Sequence, residues 1–164
     1  MGFKREHLFR LLDEGFGKTA WHGTNLRGSL RTIDAVQASW RPARGRHNIW
    51  EIVVHAAYWK YTVRRRITGD RRGSFAYPGH DWFPRPTTKE GPSDWKNDVA
   101  LLAKEDFLLR SALEALPAQR LTELSAKGKW TMADMVAGVA FHDVYHAGQI
   151  QLLKRLQKKS ARFR

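Results

Sequence analysis

The sequence has no cysteine, which excludes disulfide bonds, cysteine-ligated zinc and a catalytic thiol supplied by the protein itself. A bound metal ion would have to use histidine, aspartate or glutamate ligands. The sequence also has no apolar run near the roughly 20 residues that a membrane-spanning helix needs, and its first residues lack the apolar segment of a signal peptide. We therefore expect no membrane span and a cytoplasmic location.

Acidic residues are scarce, since 16 Asp and Glu stand against 29 Lys and Arg, a formal net charge of +13. Such a charge is compatible with a polyanionic partner. The basic residues, however, are spread along the whole chain in short clusters, and no nucleic-acid-reading motif accompanies them. The pattern favours a solvated basic surface, and nucleic acid is not the expected partner.

Large apolar side chains, in contrast, are abundant. With 42% hydrophobic residues and seven tryptophans, the 164-residue chain can bury a substantial core. This composition is typical of a folded protein and too apolar for a disordered one. We expect a single domain over residues 1–164.

Apolar periodicity indicates an all-α chain, because no segment has the alternating pattern of a strand. Four helical stretches are predicted, at residues 25–36 after a loose glycine-containing arm, and at 48–67, 93–116 and 132–157. Two of the helix starts resemble a capping box, formed by Asn48 with Glu51 and by Thr131 with Asp134. These two starts are therefore the best-defined boundaries.

Residues 69–92 form a long connection that contains four of the six prolines. A connection of this length exceeds what neighbouring helices in a bundle need. It indicates either a crossover between helices 2 and 3 of a four-helix bundle or a lid over a site.

Two histidines in the fourth predicted helix have the spacing of a chelating pair. His142 and His146 lie four residues apart, so both rings project to one side, about 6 Å apart along the axis. Two imidazoles at this spacing can share one ion that lies about 2 Å from each nitrogen. The spacing alone is a weak signal, because such pairs also occur by chance.

The apolar surroundings of the pair, VAGVAFHDVYHAGQIQLL, strengthen the signal, because a buried imidazole needs a polar partner. His55 has the same kind of setting, within IWEIVVHAAYW. Each histidine alone is more often a core residue with its own hydrogen bond. Three of them at mid-helix, on two helices able to face each other, favour one shared ion.

The residue that follows His142 excludes a zinc-protease helix. Such a helix needs HExxH with the glutamate as general base, whereas the sequence here is HDVYH, and Asp143 is shorter and lies off the ligand face. Three visible ligands leave a coordination position open for water or substrate, which favours a reactive site over a structural one.

The chain resembles the DinB-like superfamily, which includes the YfiT-like proteins, in the segments HNIWEIVVHAAYWKYTVRRRITG and WTMADMVAGVAFHDVYHAGQIQLLKR. The resemblance implies a four-helix bundle with up-down-down-up topology, often assembled as a homodimer. It also implies one divalent metal ion held by His55, His142 and His146. Nickel or zinc is the first expectation, and iron, manganese or copper would also suit three histidines.

For function, the resemblance implies a metal-dependent thiol S-transferase or a hydrolase. The ion would activate a thiol or a water for attack on a small-molecule substrate. Since the protein has no cysteine, a sulfur nucleophile would arrive as a low-molecular-weight thiol. The alternative is a nucleic-acid-binding or stress-response scaffold protein with a structural metal. The sequence identifies no catalytic residue.

Three further residues are weaker candidates for a role at the site. Glu51 lies one turn before His55 and could accept a hydrogen bond from a ligand ring, although its capping role explains it without a metal. Gln149 follows His146 by three residues and could point into the pocket, with packing or solvent equally compatible. His22 could supply a fourth ligand or carry a proton, although an exposed position near a helix start is the simpler interpretation.

Overall fold

The structure, a computed structural model, describes residues 4–73, 75–86, 91–125 and 128–162, with side chains up to residue 159. Over these residues the protein is all-α, with six α-helices and no strand. The helices are α1 (Arg5–Leu12), α2 (Leu26–Ser29), α3 (Ala35–Ser39), α4 (Ile49–Thr68), α5 (Pro92–Ala115) and α6 (Met132–Arg162). None of the described helices is long and apolar enough to cross a membrane.

The three long helices begin within one residue of their predicted starts, and α6 continues five residues beyond its predicted end. For α4 and α6 the capping boxes account for this agreement. The Asn48 side chain accepts a hydrogen bond from the Glu51 backbone N–H at 2.8 Å, and Thr131 and Asp134 exchange two such bonds at 3.0 Å each. α4 ends at Gly69, whose φ of 84° is a left-handed conformation that glycine adopts without strain.

The predicted helix over residues 25–36 is wrong. The chain turns at Thr32, which has a φ of 64°, and a new capping box then starts α3, where Asp34 and Gln37 bond to each other's backbone N–H groups. The longer N-terminal helix lies instead at α1, which continues through a π-helical turn, Asp13–Gly17. This region was predicted to be a loose arm.

α4 lies at the centre of the molecule, where it packs against α5 and α6, while α1 and α2 pack against α6. The π-helical turn after α1 approaches α6 closely. A Cβ atom at Gly15 would lie only 2.8 Å from the carbonyl oxygen of Ala140, so this contact requires glycine.

The described part of the long connection after α4 has no helix or strand, and residues 74 and 87–90 of the predicted connection lie outside the described residues. Phe83 anchors this segment because it is buried in the core cluster around the first half of α4. A second cluster, which includes Leu8, Leu109 and Val136, lies toward the other end of the bundle. The connection therefore folds back over α4 beside His55.

Candidate metal centre

α4 and α6 bring the three histidines named from the sequence to one place. His55 lies on α4, and His142 and His146 lie one turn apart on α6. The Nε2 atom of His142 is 3.0 Å from Nε2 of His55 and 2.9 Å from Nε2 of His146. One ligand atom from each ring lies within 4.8 Å of the other two, so the cluster could hold a metal ion.

The outer nitrogens of two rings are held by acceptors. The Nδ1–H of His55 donates to the backbone carbonyl of Asp81 at 2.8 Å, and the Nδ1–H of His146 donates to Oε1 of Gln149 at 2.7 Å. A neutral imidazole has only one ring hydrogen. The Nε2 atoms of His55 and His146 therefore present lone pairs toward the centre of the cluster.

Hydrogen bonds among the three rings cannot satisfy this arrangement. His142 could donate to one of the two inner lone pairs but not to both. A cation would accept lone pairs from all three rings. Tetrahedral ligands at about 2.0–2.1 Å from zinc lie about 3.3 Å apart, close to the two separations of 3.0 and 2.9 Å from His142. The donor set and its spacing fit a divalent ion.

Burial keeps the three rings in the neutral form that binds metals. It lowers the pKa of His55, lowers the pKa of His146 to about 4 and, with the neighbouring histidines and Lys60 adding to the effect, lowers the pKa of His142 to about 3. Near neutral pH all three side chains are therefore uncharged ligands, and no proton has to leave before an ion binds.

Trp82, from the connection after α4, holds His55 from the side. Its ring stacks on His55 with 3.8 Å between ring centroids, and His47 stacks on its other face at 3.6 Å. The neighbouring Asp81 carboxylate accepts a hydrogen bond from the Trp59 ring N–H at 2.9 Å. The orientation of His55 is therefore set by packing as well as by its hydrogen bond.

Comparison with known proteins identifies the family of the chain. Residues 18–150 match the family model described as the DinB superfamily. The chain belongs to the DinB superfamily. A search of the solved structures adds one similar fold, titled "Crystal structure of the conserved protein of locus from Enterococcus faecalis", with a TM-score of 0.61, 15% sequence identity and 93% of each chain covered. No curated protein sequence matches.

The weaker candidates have different outcomes in this DinB protein. Gln149 contacts the site directly through His146. Glu51 does not contact a ligand ring; its buried carboxylate bonds to Arg41, to His47 at 3.0 Å and to the backbone of Arg85 at 3.2 Å. It supports the site through His47, which stacks on Trp82.

His22 is exposed and is not part of the histidine cluster, so it does not provide a fourth ligand in this arrangement. Two residues that do contact the site, Asp81 and Trp82, were missed by sequence reasoning. They lie in the long connection, where no helical period relates them to His55. The available signal was indirect: Trp82 was expected to pin down a connection that was interpreted as a crossover or a lid, but nothing in the sequence related it to His55.

A fully buried lysine fixes α4 against α5 and α6 next to the DinB histidines. Lys60 donates to Asp106 of α5 at 2.9 Å and also to Asp143 of α6, the residue after His142. Burial raises the pKa of Asp143 to about 6, against the opposing effect of the lysine charge. Sequence reasoning missed this ion pair because lysine is almost never fully buried.

The histidines open into a cavity of about 600 Å³. Its lining is mainly apolar, with Ile52, Leu152 and Leu153 among the contributors, and Arg46 supplies a charge. A small molecule could therefore reach the inner nitrogens of the cluster.

Proposed function

We propose that His55, His142 and His146 bind one divalent metal ion and that the protein is a metal-dependent enzyme of the thiol-transferase or hydrolase type. The observation that carries this proposal is the convergence of three inner Nε2 atoms, two of which have their ring hydrogen committed on the outer side. Nickel and zinc are the preferred ions, and iron, manganese or copper would also suit the three nitrogens.

Three protein ligands leave a coordination position for a substrate group. When bound, such an ion lowers the pKa of a coordinated water or thiol, which supplies a nucleophile near neutral pH. The histidines would orient that nucleophile toward the cavity of about 600 Å³, whose apolar walls exclude bulk water from a bound small molecule. Because the sequence has no cysteine, the thiol would be a separate low-molecular-weight molecule.

The proposal is tested first by metal content. Protein purified without a polyhistidine tag should contain about one divalent ion per chain by elemental analysis. His55→Ala and His146→Ala should lose the ion, whereas His22→Ala, which removes an exposed histidine, should keep it. Equal metal content in all four proteins, or none in the parent, would contradict the metal site.

Activity is tested separately on the metal-loaded protein. Consumption of an electrophile that depends on an added thiol would identify a transferase, and hydrolysis of an ester or amide without thiol would identify a hydrolase. In both cases, turnover should disappear in His146→Ala. A scaffold with a structural metal would instead lose its fold on metal removal and show neither reaction.

The remaining implications of the family are proposals of the same kind. They are the up-down-down-up order of a four-helix bundle in one domain over residues 1–164, a cytoplasmic location, and a homodimer. α6 exposes large apolar side chains that could meet a second copy: Phe141, Tyr145, Leu152 and Leu156. Sedimentation velocity of the parent protein and of Leu152→Glu would test the dimer.

A further inference from the structure

A second cavity lies beside the C-terminal half of α4, outside the three-histidine cluster. This basic cavity, of about 540 Å³, is lined by Arg65, Arg66, Arg72 and His80, together with Trp59 and Asp81. Trp59 and Asp81 also contact the histidine site, since Trp59 bonds to the Asp81 carboxylate and the Asp81 carbonyl holds His55. The cavity and the site are therefore neighbours.

Two guanidinium groups in the basic cavity lack a carboxylate partner among the described residues. The Nε of Arg65 is buried without a hydrogen bond, and its Nη1 donates only to the backbone carbonyl of Asp70, at 3.1 Å. Arg66 has one polar contact, a weak one to the sulfur of Met135 at 3.9 Å. Such partly buried charges gain from an anion that supplies the missing acceptors.

The preceding residue, Arg64, shows the contrast. It pairs with Asp70 at 3.6 Å and with Glu105 at 3.4 Å. Three consecutive arginines thus divide between one that is paired within the protein and two that turn toward a cavity. A merely solvated basic surface would not bury an unpartnered Nε.

Two carboxylates also face the basic cavity, and both are engaged elsewhere. Asp70 pairs with Arg64 and accepts a hydrogen bond from the Thr68 hydroxyl at 2.7 Å. Asp81 accepts the Trp59 ring N–H and lies 3.3 Å from Nδ1 of His55. The three arginines outnumber them, so the cavity retains a net positive charge for a ligand.

Arg66 lies between the basic cavity and a neighbouring apolar one. This apolar cavity, also of about 540 Å³, is lined by Trp59 and Arg66, which it shares with the basic cavity, and by Val63, Met135 and Val139. Its one carboxylate, Asp134, is engaged in the α6 capping box. A charged head and an apolar body could thus be bound side by side.

We propose that these two cavities form one binding site for an amphipathic organic anion. A carboxylate or phosphate head binds Arg65 and Arg66, and an apolar body lies against Val63, Met135 and Val139. His142 also lines the apolar cavity, so the far end of the ligand lies next to the histidine cluster. The site itself does not depend on a bound ion.

Isothermal titration with four probes tests the proposal: acetate, octanoate, inorganic phosphate and octyl phosphate. Octanoate and octyl phosphate (together the octyl ligands) should bind at least tenfold more tightly than acetate and inorganic phosphate, because each buried CH2 group adds up to about fourfold in affinity. Similar results for both head groups indicate that a negative charge suffices, whereas preference for one identifies the head as carboxylate or phosphate.

Variants locate the site. Arg66→Gln should weaken octyl-ligand binding at least tenfold, and Arg65→Gln/Arg66→Gln more, whereas Arg71→Gln, a neighbouring exposed arginine outside both cavities, should change it less than twofold. Met135→Glu keeps both arginines but sets a competing carboxylate next to Arg66, so it should also abolish binding. Thermal melts of each variant establish that it is folded.

Equal affinity in Arg66→Gln, Met135→Glu and Arg71→Gln, or no gain from the octyl chain, would overturn the proposal in favour of diffuse surface charge. A single-stranded oligonucleotide that displaces octyl phosphate equally from the parent and from Arg66→Gln would do the same. His146→Ala separates this site from the metal centre, because it lacks contact with either cavity and should keep octanoate binding while losing metal.

Discussion

The buried Lys60 offers the sharpest test of how the fold is held together. Its side chain is 0% exposed and pairs with Asp106 and Asp143 from two different helices. Lys60→Met keeps most of the apolar stem and removes only the charge, so the variant creates little cavity. Asp106 retains Arg110 at 2.7 Å as a partner, whereas Asp143 loses its hydrogen-bonded lysine and keeps only the more distant charge of Arg110.

Removing one partner of a buried ion pair costs about 3–5 kcal/mol, because the remaining group must either stay charged without its partner or take up a proton. One orphaned carboxylate rather than two argues for the lower end, about 3 kcal/mol. The variant Lys60→Met/Asp143→Asn removes that charge as well, and a buried neutral group without a partner costs only about 1–3 kcal/mol. The double variant should therefore regain up to about 2 kcal/mol over the single one.

Urea unfolding at pH 7 in the presence of a chelator measures these differences without a contribution from metal binding. Lys96→Met, at an exposed position of α5, should change the free energy of unfolding by less than about 0.5 kcal/mol. A loss below about 1 kcal/mol in Lys60→Met, or a double variant less stable than the single one, would refute the reasoning.

Three further predictions concern the site and its support. Gln149→Ala removes the acceptor for the His146 Nδ1–H and should weaken metal binding about 10–100-fold in a chelator competition, whereas Gln151→Ala should leave it unchanged. Burial raises the pKa of Glu51, but the hydrogen bonds from Arg41 and His47 outweigh burial and lower the pKa below 4.5. The stabilisation from Glu51 is therefore present above pH 4.5 and is lost as the pH falls through the lowered pKa. Melting temperatures of Glu51→Gln should accordingly converge on those of the parent at low pH. Metal removal should lower the melting temperature, with a stabilisation of about 4 kcal/mol at a free ion concentration a thousand times the Kd, and an unchanged melting temperature on chelation would contradict a bound ion.

The long helices were predictable because their signals are local. The capping boxes that begin α4 and α6 lie within four residues of sequence, and the structure contains their hydrogen bonds. The N-terminal region failed for a related reason. The capping box that begins α3, formed by Asp34 and Gln37, was present but was interpreted as part of a continuous helix. The left-handed residue that separates α2 from α3 is Thr32, so no glycine in the sequence indicates this turn.

The histidines of the candidate site were predictable for the same reason, since the spacing of His142 and His146 is a helical period and His55 has a comparable apolar setting. The side chains that orient these histidines were harder to predict. Gln149 shares the period of α6 and was named, whereas Asp81 and Trp82 come from a connection with no period. The contact between Asp81 and His55, which are 26 residues apart in sequence, depends on how the connection folds over α4.

The buried ion pair also explains how two histidines 87 residues apart come within 3.0 Å. Lys60 lies five residues after His55 on α4, and Asp143 directly follows His142 on α6, so one ion pair joins the two helices about one turn from the rings. A shift of α6 along α4 by one helical turn would preserve much of the apolar contact. It would, however, separate Lys60 from Asp143 and leave both buried without each other, at a cost of several kcal/mol. We therefore expect the polar pair to select the register that brings the histidines together, while apolar packing supplies most of the stability.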